Sequence, residues 1–456
     1  MSDYVQMWKD LGMDLENHDL LCQVLPTAVG DVFLSQENRP KAMDFWDLVI
    51  SEVHGIRPAE LIEAQKQGRK VFGTFCVYVP DEVIIAADGI FTGLCGGSQF
   101  WVPDGEAVLP KSTCPLVKAS VGARLGKTCP FFRIADMYVG ETTCDGKKKA
   151  YEILGEDVPM YIMDLPQMKR EKDIRKWTEE IAAFARKVEE FTGNAITPET
   201  LGAAIHTINE KRKALARMYE ARKSKVLPIS GKDALLVMQI AFFDDPVRCA
   251  QMTNKLCDEL EQRIQDGVSV FPAGTKRILL TGTPLAIPNW KLHHIIETSG
   301  GAVVCEEMCT GTRYFENLVD ETKTTLDEQF MALSQRYMKT NCACFTRGAG
   351  RAGWADGSRE ARRSRRTRNA SRPHWPHRSP FSSRSARTRR SRRSGRSHRA
   401  RSVIAHHRIA HALLPAFART FPVAAAVLSI VHVVLPFLPI CRKSPAVQSM
   451  PKAALR

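Results

Sequence analysis

The run RKVFGTFCVYVPDEVIIAADG, residues 69–89, reads as a strand followed by a helix. RKVFGTFCVYVP is rich in β-branched and aromatic residues and stops at Pro80, which suits a pleated, buried segment. DEVIIAADG then places two acidic residues in a first helical turn and Gly89 at the stop. A strand leading directly into a helix is the unit of an α/β sheet. The unit recurs where RIADMYVGETTC (133–144) leads into DGKKKAYEILG (145–155), and VPMYIMDLP (158–166) is predicted to be another short buried strand. The predicted fold class is therefore α/β, with a first α/β domain over residues 67–168.

Outward from that domain the pattern changes twice. Residues 1–66 read as a helical packing arm, with helical apolar spacing in MDFWDLVISEV and a second short helix near Pro58 to Gln67. Residues 169–272 read as a helical insertion, because WTEEIAAFARKVEEF, TPETLGAAIHTINEKRKALARMYEARK and PVRCAQMTNKLCDELEQRI repeat apolar residues at three-and-four spacing. Strand character returns at TKRILLTGTPL (275–285), followed by a helix from Asn289 to Glu297, a strand GGAVVCEE and a helix TLDEQFMALSQRYM. This begins a second α/β domain, residues 273–346, predicted to be truncated before it is complete.

The formal charge of the chain is +15. Residues 347–456 hold 23 Arg and 2 Lys against Asp356 and Glu360, a net of +23 that leaves the rest of the chain at −8. A mildly acidic body argues against a specific nucleic-acid partner, which would need clustered Lys and Arg on one face. The first residues, MSDYVQMWKDLGMDLENHD, carry acidic groups and no apolar run of signal-peptide type, so a cytoplasmic location is expected. Thirteen cysteines in such a chain point to metal ligation or redox chemistry rather than to disulfides.

The tail of residues 347–456 is expected to be disordered and Arg-rich, and no Lys occurs from Asn341 to Arg442. Out-of-frame translation of GC-rich codons accounts for that bias together with the unfinished domain; a basic arm for polyanions is the other reading. FPVAAAVLSIVHVVLPFLPIC (421–441) has the length of a membrane span. His432, Pro436 and Pro439 speak against it.

Two cysteine segments carry the chemistry: STCPLVKASVG (112–122) and GETTCDGKKKAYE (140–152). Cys144 is predicted where a strand gives way to a helix, so the first helical amides would face its sulfur and favour a thiolate. The lysines after Gly146 add positive potential for an anionic cluster or a substrate phosphate. A buried cysteine beside a solvated lysine run is the alternative, since the spacing is not that of close-spaced zinc ligands. Cys76 falls where the chain leaves the first strand, the end at which open α/β sheets bind ligands; it lines the substrate pocket on one reading and is a core cysteine on the other. Cys95 and Cys129 are candidates for lining the cavity of a cluster. Cys22, Cys249 and Cys257 are read as core residues in helices. Cys305 and Cys309 are read as facing the same cleft one helical turn apart. No G-x-x-x-x-G-K-[ST] phosphate loop occurs, so ATP hydrolysis is not encoded.

The runs GTFCVYVPDEVIIAADG, LPKSTCPLVKASVG, VGETTCDGKKKAYEIL, PNWKLHHIIE and KTNCACFT resemble the 2-hydroxyacyl-CoA dehydratase family, D-component type. GETTCDGKKK and CACFT are most similar to its double-cubane cluster proteins, single-subunit relatives that form homodimers. The resemblance covers about residues 3 to 346. It implies flavodoxin/Rossmann-like α/β domains with a helical insertion and an iron-sulfur cluster, [4Fe-4S] or double-cubane, wedged between them. Cys114 and Cys144 match two cluster cysteines of the family. Its third ligand lies beyond the CACFT run, where this tail offers only Cys441. Cys342 and Cys344 are the nearest substitutes, with Cys344 the metal-ligand candidate; a C-x-C pair packed at a strand end is the other reading.

The resemblance implies an oxygen-sensitive, anaerobic lyase. It would reduce the thioester of a 2-hydroxyacyl-CoA to a ketyl radical and so allow dehydration, drawing electrons from an ATP-dependent iron-sulfur activator and pairing with itself or a second subunit. A double-cubane reductase of small molecules is the alternative enzyme. A basic-tailed nucleic-acid or membrane-binding protein is the non-enzymatic one.

Overall fold

The computed structural model describes residues 4–94, 96–342, 344 and 345. The expectations for the Arg-rich tail, the apolar segment 421–441, Cys441 and Cys95 lie outside the described residues. Among the described residues no helix is long and apolar enough to cross a membrane.

Four helices open the chain: α1 (Val5–Asp10), α2 (Leu15–Val29), α3 (Asp44–Ser51) and α4 (Ile56–Lys66). Asp14 caps α2 by accepting from the Asn17 amide, which satisfies a free N–H of the first turn. Trp46, Ile50 and Leu61 are fully buried, where α3 packs against the later helix Gly231–Ile240 and α4 against the helix Pro130–Ile134.

That sheet has four parallel strands, β1 (Val71–Thr74), β2 (Ile90–Gly93), β3 (Met137–Glu141) and β4 (Met160–Met163), in the order β2-β1-β3-β4. The connections carry α5 (Asp81–Ala86), then α6 (Val102–Glu106), α7 (Pro115–Leu125) and α8 (Pro130–Ile134), then α9 (Asp145–Leu154). β1 and β3 are buried throughout, as covered central strands of a parallel sheet must be. β4 corrects the sequence reading: it is an edge strand with Ile162 exposed and only Met163 buried. From β1 the chain crosses to one side and from β3 to the other, so a crevice opens at the carboxyl ends of these two neighbours.

Helices α10 (Glu171–Thr192), α11 (Pro198–Ala221), α12 (Gly231–Ile240) and α13 (Pro246–Gln265) follow. In α10 the buried residues Trp177, Ile181, Phe184, Ala185 and Val188 recur at helical spacing, and Gly193 ends it with φ 79°, a conformation glycine adopts without steric cost. β5 (Lys276–Thr281) and β6 (Gly301–Glu307) then form a second, two-stranded parallel sheet. It is accompanied by α14 (Lys291–Thr298), α15 (Thr312–Phe315) and α16 (Leu326–Lys339). The fold is mixed α/β with parallel sheets.

Two buried ionic networks tie the helical segment to both sheets. Arg212 of α11 donates to Glu82 of α5 at 2.6 Å, and the Tyr337 hydroxyl of α16 donates to the same carboxylate at 2.8 Å. Arg222, just past α11, grips Glu306 of β6 with two bonds of 2.8 and 2.9 Å, joined by Tyr219 at 2.6 Å and His293 at 3.0 Å. The backbones meet as well. The Gly97 amide donates to the Ile287 carbonyl at 2.8 Å, and a Cβ at Gly97 would lie 2.1 Å from the Ala286 oxygen, so only glycine permits that approach.

Candidate functional site

The carboxyl ends of β1, β3 and β6 bring cysteines together. Beyond β1, Cys76 pairs its thiol with that of Cys309, which stands two residues after β6. A single proton shared between two sulfurs makes one easy to ionise and the other hard. The hydrogen bond from Cys76 brings Cys309 below the ordinary thiol range, while the bond to Cys309 and burial push Cys76 well above it.

Cys342 and Cys344 form a second pair. The hydrogen bond from Cys344 brings Cys342 down to about 5, and the reciprocal bond pushes Cys344 up. The pair follows α16, a helix, rather than the strand end that the sequence allows; Tyr78 and Lys169 hold it. Phe345 packs edge-on against the Tyr78 ring with centroids 5.6 Å apart, and the Lys169 ammonium sits 4.6 Å from the Phe345 ring while donating to the Thr340 carbonyl at 2.6 Å. The Tyr78 hydroxyl is buried without an oxygen or nitrogen partner among the described residues. It faces the sulfurs of Cys342 and Cys344.

Cys144 is exposed and is the N-cap of α9, its Sγ accepting from the Lys147 amide at 3.4 Å. The amides of a helix start lend positive potential to a sulfur held there. Cys114, also exposed, is the N-cap of α7. The two helix starts are neighbours, since a Cβ on Gly146 would meet the Thr113 methyl at 3.7 Å. Lys147, paired with the buried Glu141, lies close enough to favour ionisation of both Cys76 and Cys309. Arg313 acts likewise on Cys309 and Cys342 and is fixed by Glu307 at 2.7 and 2.8 Å.

Behind the Cys76–Cys309 pair lies an apolar cavity of about 110 Å³, comparable with the roughly 150 Å³ of cavities that take up a benzene ring. Phe75, Phe131, Phe132, Phe242 and Trp101 supply its walls, with Cys76, Cys129 and Cys309 among its lining. Burial pushes the Cys129 thiol up to about 11, so it stays protonated.

Of the candidates read from sequence, Cys76, Cys114 and Cys144 stand at one edge of the first sheet, and Cys344 is held against Tyr78 beyond β1. Cys129 lines the apolar cavity. Cys305 does not line it: it lies within β6, so it and Cys309 are not one helical turn apart. Cys249 and Cys257 are core residues, whereas Cys22 is half-buried beside two histidines. Sequence reasoning misses the thiol pairing and the role of Arg313, whereas Lys147 is the first of the lysines read there as positive potential. The rule that singles out Cys76, ligands at the carboxyl ends of strands, applies equally to Cys309 after GGAVVCEE.

The donor set suits an iron-sulfur group: thiols only, none engaged in a disulfide, two pairs predisposed to lose a proton, and cations beside them. Thiolates are the usual ligands of iron-sulfur clusters.

Residues 76–362 match the family model described as 2-hydroxyglutaryl-CoA dehydratase, D-component. The chain is 35% identical over 288 residues to the putative dehydratase subunit YjiM of Escherichia coli (strain K12), covering 62% of this chain and 73% of that protein. It is 21% identical to the (R)-phenyllactyl-CoA dehydratase beta subunit of Clostridium sporogenes, over 61% of this chain and 72% of that one. A benzoyl-CoA reductase subunit of Thauera aromatica is 24% identical, over 60% of this chain and 70% of that one. The match runs from Cys76, just past β1, through the remaining strands of both sheets and past the CACF segment, and the chain belongs to the 2-hydroxyglutaryl-CoA dehydratase D-component family.

Proposed function

We propose that this dehydratase-family component is an oxygen-sensitive iron-sulfur enzyme acting on a 2-hydroxyacyl-CoA, with electrons supplied by an ATP-dependent activator. The observation that carries this reading is the convergence of thiols at the carboxyl edge of the first sheet, on the rim of an apolar cavity. Cys114 and Cys144 would hold the cluster with Cys344 as a further ligand, on the scaffold of arm 1–66, first α/β domain 67–168, helical insertion 169–272 and second α/β domain 273–346. When bound, the cluster supplies low-potential one-electron chemistry and a Lewis-acidic iron.

The chain's own residues do the rest. The phenylalanine-lined cavity takes the apolar part of the acyl group and keeps water from it. Lys147, the start of α9 and Arg313 offset the negative charge gathered at the site. Cys76 and Cys309 line the cavity, where they would face the substrate carbonyl.

One observation favours a second reading, a double-cubane reductase of small molecules working as a homodimer. Cys76, Cys114, Cys144, Cys309, Cys342 and Cys344 make more thiols than the four that one cubane takes. The two readings separate in an anaerobic assay with ATP, a low-potential reductant and an activator protein. The dehydratase reading expects an enoyl-CoA from a 2-hydroxyacyl-CoA only when a second subunit is added. A homodimer that reduces small molecules by itself and leaves the 2-hydroxyacyl-CoA untouched would replace it by the second.

A further inference from the structure

Away from this edge, the N-terminal arm holds a second set of metal-ligating groups. His18 and Cys22 lie one turn apart on α2 and so share a face. His54, in the turn between α3 and α4, comes down onto them, placing its Nδ1 2.9 Å from His18 Nε2. Cys22 Sγ is 3.6 Å from the same His18 nitrogen, and one ligand atom from each of the three residues lies within 4.8 Å of the others. Two imidazole nitrogens and a thiolate around one tetrahedral zinc ion would be separated by roughly 3.3 Å for N to N and roughly 3.6 Å for S to N, given bond lengths near 2.0 and 2.3 Å. The observed separations are therefore close to those of a filled site, with the two imidazoles needing to part slightly.

The surroundings fix these groups as metal ligands are commonly fixed. His18 is wholly buried, with the Trp8 ring centroid 4.3 Å from its own. The Trp8 indole N–H donates to the His54 carbonyl at 2.8 Å, anchoring the turn that carries His54. If His18 ligates through Nε2, its Nδ1 faces the Asp19 carboxylate at 4.0 Å, the kind of outer partner that orients a ligating imidazole. Two imidazoles and one thiolate would leave a divalent ion with a single positive charge, and the Asp19 carboxylate, 4.0 Å from His18 Nδ1, is placed to offset it.

We infer that His18, Cys22 and His54 form a binding site for one divalent transition-metal ion, zinc, separate from the thiol edge and leaving a fourth position for water. Imidazole and thiolate together favour zinc over the hard cations. The ion would clip α2 to the α3–α4 turn. As His54 also lines the apolar cavity, the clip would brace that wall of the cavity.

The full-length chain, treated with a chelator and then titrated with zinc under anaerobic conditions, tests this. The wild type is expected to keep about one zinc equivalent more than either Cys22→Ser or His54→Gln, while the iron content of all three is the same. Zinc should raise the melting temperature of the wild type and of neither variant. With cobalt(II) in place of zinc, the wild type should show tetrahedral ligand-field bands with sulfur-to-cobalt charge transfer, and Cys22→Ser should lack the contribution of one thiolate. Should His54→Gln fail to fold, Cys22→Ser, a substitution at a half-buried position, decides alone. Equal zinc in wild type and Cys22→Ser, whether one equivalent or none, would overturn the inference. So would a loss of iron in step with zinc, which would place Cys22 with the cluster thiols.

Discussion

Cys144→Ser protein prepared without oxygen is expected to lose most of its iron and all detectable turnover while folding as the wild type does. Cys144 is exposed at the start of α9, where its sulfur accepts from the Lys147 amide. Serine is a preferred residue at that position and accepts the same bond, so the helix start survives. What is lost is the thiolate, and a hydroxyl does not replace it as an iron ligand. Cys114→Ser, at the N-cap of α7, should behave alike. The contrasting control is Cys257→Ser. Cys257 is fully buried, so serine there should lower stability by about 1–3 kcal/mol by burying a hydroxyl and leave iron unchanged. Iron content by metal analysis, set beside a melting curve, reads both effects. Iron retained in Cys144→Ser and Cys114→Ser would show that the cluster thiols lie elsewhere.

The largest loss of stability is expected at Arg222→Ala. Arg222 and Glu306 are 1% and 0% exposed and bonded in a fork. Removing the guanidinium leaves a buried carboxylate with only Tyr219 and His293, at a cost of about 3–5 kcal/mol, a large part of the roughly 5–15 kcal/mol that holds a domain folded. Burial alone would raise the Glu306 carboxyl, but the Arg222 charge and the bonds from His293 and Arg222 outweigh it and bring the group down to about 2. A carboxyl depressed by folding stabilises the native state above its unfolded pKa of about 4.3 and loses that contribution as pH falls toward 2. Urea unfolding at pH 7 should therefore separate Arg222→Ala from the wild type widely, and the gap should narrow as pH falls below about 4. Arg222→Met combined with Glu306→Leu should recover most of the loss, since the uncompensated charge is gone. A single variant that unfolds as the wild type does would show that the fork contributes nothing to stability.

Much of this molecule is legible one segment at a time. β1, which ends at Thr74 rather than at Pro80, α5 behind it with Pro80 as its N-cap, and Cys144 at the junction of β3 and α9 depend on local chemistry: β-branched residues, a proline, acidic groups in a first turn. The long helices α10, α11 and α13 announce themselves through apolar spacing. The misread elements depend on neighbours. MYIM of β4 reads as buried because it is wholly apolar, yet it lies at the sheet edge. The partnership of Cys76 with Cys309 needs the segments that follow β1 and β6 to be brought together by contacts such as that of Gly97 with Ile287, and no spacing in one strand reports on that. Cys22 reads as core from its helical pattern, although His18 one turn before it is a signal of another role; His54 is brought in by a turn whose course sequence does not show.

The most direct test of the central claim is the iron and acid-labile sulfide content of the full-length chain produced and purified without oxygen, with electron paramagnetic resonance after reduction. The predicted result is a brown protein that bleaches in air, with iron and sulfide in equal amounts, about four of each per chain for a single cubane or about eight for a double one, and a signal from a reduced cluster. A colourless, well-folded protein without iron or sulfide would contradict it.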